Sequence, residues 1–142
     1  MFFDKYTYEK SSYMKSIFTS FSVITFIVLS SFTQQGNIDE VIGALRSGNA
    51  DDLSKYFDDN VELTLPDKSD NYSKAQAVLI LKDFFGNNSV KNFDVKHKGD
   101  TGGSQFCIGT LQTKSGNFRT TVFMKMKGTK ELVKNIRFQT IE

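Results

Sequence analysis

One histidine stands among 142 residues, inside the strand-like stretch FDVKHKG, Phe93 to Gly99. Alternation predicts Phe93, Val95 and His97 on one face of that strand, with Asp94, Lys96 and Lys98 on the other. An imidazole on an apolar face titrates near neutral pH and can take a proton as a general base. Tyr56 or Tyr72 would be the hydrogen-bond donor beside it. No carboxylate falls on the strand faces predicted to point inward, so the second group of an acid–base pair is missing. The sequence therefore favours the plain reading of a partly buried, hydrogen-bonded histidine.

The other reactive residue types have equally plain readings. Cys107 is the lone cysteine, lies in the apolar run FCIG and reads as a small buried hydrophobe. An internal disulfide is impossible, and one Cys with one His cannot build a structural zinc site. No spacing of oxygen ligands resembles a calcium loop, so neither metal nor cofactor is expected. Asp100-Thr101-Gly102 spells the triplet of aspartic proteases, but it follows the charged KHKG, and a Gly-rich hairpin accounts for it.

These residues are positioned by elements that can be read from periodicity. Asn37 and Glu40 form a predicted capping pair for a helix with Ile38, Val41, Ile42 and Leu45 on one face, closed by Gly48. Asn49 is the predicted cap of a second helix, ADDLSKYF, with Leu53, Tyr56 and Phe57 as its buried stripe. Asp51 and Asp52 fall in its first turn, where the helix dipole favours negative charge. VELTL alternates Val61, Leu63 and Leu65 inward and reads as a strand. A capping box, Ser73 with Gln76, opens a third helix carrying Ala77, Val78, Leu81, Phe84 and Phe85, closed at Gly86. Phe84 and Phe85 are expected between that helix and the sheet. Four further strands, FDVKHKG, QFCIGTLQT, FRTTVFMKMK and LVKNIRFQTI, are joined by short hairpin connections. The pattern predicts an α+β domain, three N-terminal helices packed on a curved antiparallel sheet.

The N-terminus has a different character. Lys10 and Lys15 precede the apolar run Ile17 to Phe32, and the composition then turns polar at TQQGN. A basic region, a short apolar region and a small-residue exit describe a secretory signal peptide over residues 1–35, with cleavage near Thr33 to Gln35. An uncleaved membrane anchor or a buried helix is the alternative, although about 20 apolar residues are needed to span a bilayer. Met14 is an alternative start. No cysteine follows the run, which argues against a lipid anchor. The expected chain is exported, periplasmic or associated with the cell envelope, with one domain over residues 36–142.

The stretch LRSGNADDLSKYFDDNVELTLP resembles the opening of the nuclear transport factor 2-like (cystatin-like, cone-shaped) superfamily. SKAQAVLILKDFF resembles the third helix of that fold, and the meander its remainder. Together with the leader, the chain is most similar to a small exported Bacteroidota family of unknown function. That resemblance implies the fold and leaves the activity open, because the superfamily holds isomerases, dehydratases, transport factors and non-catalytic modules. It implies a cone whose candidate lining is Tyr56, Tyr72, Phe93, Val95, His97, Phe106, Val122 and Met124. Ketosteroid-isomerase-like members carry their chemistry there, which makes His97 the centre of the alternative, enzymatic reading.

Charge points elsewhere. Over the whole chain 18 Lys/Arg meet 16 Asp/Glu. From Gln34 to Val90 five Lys/Arg face ten Asp/Glu; from Lys91 to Glu142 ten face four. Alternation sets Arg119, Phe123, Lys125 and Lys127 on the outer face of the third meander strand, and Lys96, Lys98 and Arg137 are expected to extend it. The leading expectation is a non-enzymatic exported binding module. It would take a small apolar ligand in the cone, or an acidic protein or anionic surface on the basic face. No nucleic-acid recognition motif is present. Like charges across a two-fold axis favour a monomer or a weak homodimer.

Overall fold

The computed structural model describes residues 37–142; the predicted leader and its cleavage site lie outside the described residues. Helix α1 (Ile38–Ser47) buries Ile38, Val41, Ile42, Ala44 and Leu45, and Gly48 closes it in the left-handed conformation (φ 62°). Asn37 does not cap it. That residue is helical itself, and its side-chain amide donates instead to the carbonyl of Glu131, 3.1 Å away. Helix α2 (Ala50–Ser54) is capped as expected, Asn49 Oδ1 accepting from the Asp52 N–H at 3.0 Å. It is shorter than its sequence suggests. The Tyr56 carbonyl accepts from the Val133 N–H at 2.7 Å, and Phe57 already belongs to strand β1 (Phe57–Leu65). Tertiary strand pairing overrides local helix propensity there.

Strand β2 (Lys68–Ser73) was not legible. Its side chains are all polar or half-exposed, so no apolar alternation marks it, and it pairs with β1 as an edge. Helix α3 (Lys74–Asn88) opens with the expected capping box. It continues through Gly86 and ends at Ser89 (φ 53°), where the Asn88 side chain donates to the Phe84 carbonyl at 2.7 Å. Strands β3 (Val90–Thr101), β4 (Ser104–Thr113), β5 (Gly116–Lys127) and β6 (Lys130–Thr140) form the meander. The sheet order is β2-β1-β6-β5-β4-β3.

The α+β class stands, with two corrections. The sheet is mixed, because β1 runs parallel to β6. These strands come from opposite ends of the domain, so no hairpin dictates their relative direction. Helix α3 lies between β2 and β3 in the chain, not ahead of the sheet.

One face of the sheet joins the helices in a single core containing Val61, Leu63, Leu111, Ile136, Leu45 and Leu81, all without solvent exposure. Phe85 is buried and Phe84 half-buried, both beside Phe138, with ring centroids 6.0 and 4.8 Å away. Gly109 on β4 is required by this packing: a Cβ there would stand 2.5 Å from the Asp94 carbonyl and 2.7 Å from the Phe93 ring. Gly109→Ala should destabilise the fold by about 1–3 kcal/mol through overpacking. Urea titration checks this, and an unchanged midpoint would contradict the packing.

Candidate functional site

The residues predicted to line a cone divide between two faces. Phe93, Val122 and Met124 stand on the helix-facing side and are completely buried. Tyr72 and Val95 are half-buried against the same core. Tyr56 lies at the helix surface, where its hydroxyl donates to the Glu40 carboxylate; that bond, with burial, pushes the hydroxyl up to about 12. Burial likewise pushes the Cys107 thiol up to about 11.

His97 and Phe106 are on the opposite, outer face. Val95 pairs with Gly109 but His97 with Ile108, so Lys96 is an extra residue and the alternation of β3 reverses at this bulge. His97 becomes exposed, in line with Ile108, Thr121 and Arg137. The same reversal takes Lys98 off the outer face: it stands opposite Cys107, and its ammonium meets Asp39 of α1 at 2.7 Å. Phe106 alternates with buried Cys107, and its ring covers Gly99. No hydrogen bond or ion pair of His97 appears among the described residues, and the acid–base constellation is not assembled. Asp100, Thr101, Gly102 and Gly103 are all exposed; the two glycines (φ 55° and 87°) form the β3–β4 hairpin.

The outer face carries a group of charges that enter no ion pair among the described residues. Arg137 on β6 stands opposite Thr121 on β5 and Thr64 on β1, and Arg119 on β5 opposite Gln139 and Thr110. The two arginines are therefore diagonal neighbours across β5 and β6. Phe123, 38% exposed, lies two residues beyond Thr121, opposite Phe106, and Lys125 follows it. Lys96 pairs with Asp94 at 2.6 Å, whereas Arg119, Lys125 and Arg137 enter no ion pair among the described residues.

Lys127 belongs to a different group, which sequence reasoning missed. Asp58, its side chain only 5% exposed, accepts from Lys127 Nζ at 2.9 Å, from Lys134 Nζ, and from the Asp59 N–H at 2.8 Å. These donors, Lys127 first, hold the carboxyl well below the usual carboxylate range. Lys134 reaches it because the β5–β6 register shifts, leaving that lysine as the extra residue between Val133 and Asn135. Only the doublet Asp58-Asp59 ahead of VELTL hinted at this clamp. It borders an open cleft of about 750 Å³ lined also by Asp59, Glu62, Ser69 and Asp70. Among the described residues no three His, Cys, Asp or Glu side chains are grouped to hold a metal ion.

Comparison with known proteins fits this architecture. The sequence pattern of a family described as Domain of unknown function (DUF4783) matches residues 38–139. The chain is 39% identical to a DUF4783 family protein from Bacteroides ovatus, with a TM-score of 0.70 over 72% of this chain and 94% of that one. It is 36% identical to another from Bacteroides uniformis, with a TM-score of 0.71 over 73% and 96%. A nuclear transport factor 2-like protein of unknown function from Cytophaga hutchinsonii is 11% identical, with a TM-score of 0.56 over 78% and 95%; this likeness shows the fold alone. No curated protein matches the chain significantly.

Proposed function

We propose that this chain, which belongs to the DUF4783 family of domains of unknown function, is an exported, non-catalytic binding module whose outer sheet face receives a protein partner. The observation that carries this reading is the trio Arg119, Lys125 and Arg137 around exposed Phe123, without carboxylates of their own among the described residues. Arginine beside an exposed aromatic ring is the composition that protein interfaces select. A small apolar ligand is less well supported, because Phe93, Val122 and Met124 are packed within the core. An enzyme centred on His97 loses its premise once that residue leaves the apolar face. Export rests on the leader-like run from Ile17 to Phe32. Direct stacking of two such faces would bring Arg119 and Lys125 against their own copies, which disfavours a tight homodimer.

A photo-crosslinking residue placed at Thr121 in living cells should yield a discrete adduct outside the cytoplasm. The same residue at Leu79, 67% exposed on α3, should not. Adducts only at Leu79, or equally at both, would remove the outer face from consideration.

A further inference from the structure

We infer that the partner, on the reading just given, is a polypeptide segment of patterned charge, with an acidic residue on Arg119 and Arg137, an apolar residue on Phe123 and a basic residue over the β1–β2 cleft. Diagonal neighbours on antiparallel strands stand about 7–8 Å apart, close enough for one carboxylate to engage both guanidinium groups. Thr121, directly opposite Arg137 and two residues from Arg119, supplies a hydroxyl between them. An oxyanion seated there relieves the repulsion of two adjacent unpaired cations.

The sign of the charge then changes across the same face. Lys127 and Lys134 offset Asp58 and Asp59, while Glu62 enters no ion pair among the described residues. Glu62 stands opposite Asn135, two residues along β6 from Arg137. An anionic bilayer presents one sign of charge over the whole face, so any approach that serves the arginines also presses on Glu62 and the cleft. A polypeptide can set its acidic and basic residues separately. From Glu62 to Arg119 is about 16 Å, two strand spacings and a four-residue offset, which about five extended residues span. Arg137 lies midway along that diagonal, and Phe123, in the row of Glu62 and Asn135 with Phe106 beyond it, flanks the line where an apolar side chain turned to one side of the segment can reach it.

The test is binding of the full chain to three fluorescein-labelled peptides and to phosphatidylglycerol-containing vesicles. The first peptide carries an acidic pair, a central leucine and, five residues on, a basic pair. The second has the same residues with the charges interspersed, and the third has glutamine in place of its basic residues. The first should bind about ten-fold tighter than either of the others. Arg137→Glu should weaken it by at least about ten-fold, and Glu62→Lys should abolish its advantage over the third. Both changes are at exposed side chains, and a melt of each variant confirms folding. If the third peptide binds as tightly as the first, with Arg137 still required, the charge pattern is wrong while the outer face stands as the binding surface. Peptide binding indifferent to Arg137→Glu overturns both. Vesicle binding abolished by Arg137→Glu, self-association abolished by it, or no saturable binding of any peptide each overturns the inference.

Discussion

Replacing Phe138 with Ala should cost about 3–5 kcal/mol of folding stability, the range for deleting a fully buried phenyl ring. Its ring has no solvent exposure and lies where α3 meets the sheet, 4.8 Å from Phe84 and 6.0 Å from Phe85, the latter edge-on at 87°. Phe118 extends the cluster, 5.2 Å from Phe84. The rings come from one helix and two strands, so neighbours cannot close the cavity without moving a whole element. Phe85→Ala should approach the same loss, and Phe84→Ala should cost less because that side chain is only half-buried. A double-mutant cycle should assign about 0.5–1.5 kcal/mol to the edge-on Phe85–Phe138 contact. Guanidinium unfolding of the variants measures all of this. A loss below about 1 kcal/mol for Phe138→Ala would mean that helix and sheet do not pack in this register.

Asp58→Asn should remove about 2 kcal/mol at neutral pH, a figure set by lost charge-assisted hydrogen bonds. The value stays modest because the lysines are 54% and 41% exposed and rehydrate when the carboxylate is gone. Burial opposes the ionised form of Asp58 less than each of the three hydrogen bonds favours it. The folded-state pKa lies below the unfolded value near 4, so the stabilisation is complete above about pH 5 and is lost as pH falls towards the depressed folded value. Parent and variant should therefore converge in stability on acidification. Urea melts at a series of pH values will show it, and a gap that stays constant down to about pH 2 would refute the clamp.

Much of the scaffold was readable because its determinants are local. Asn49 and the Ser73–Gln76 pair satisfy helix N–H groups within their own turn, so a few residues suffice to identify them. Val61, Leu63 and Leu65 alternate along one strand and are all buried, as their spacing implies. Hairpin glycines likewise announce themselves, and Gly102 with Gly103 sits where the meander turns.

What required the tertiary structure was every feature that depends on a partner distant in the chain. Strand β2 is held by β1 and carries no apolar pattern of its own, and β1 finds β6 across more than sixty residues of chain. Two single-residue register shifts decide the chemistry of the surface. The bulge at Lys96 turns His97 outward and sends Lys98 to Asp39, while the extra residue Lys134 completes the cage around Asp58. Side-chain direction in a strand has period two, so one inserted residue reverses every assignment beyond it. The amino-acid sequence alone therefore determined the helices, the meander and the apolar face. Which charges remain available on the outer face was decided by pairing register, because register is set by contacts between strands and not by any one strand.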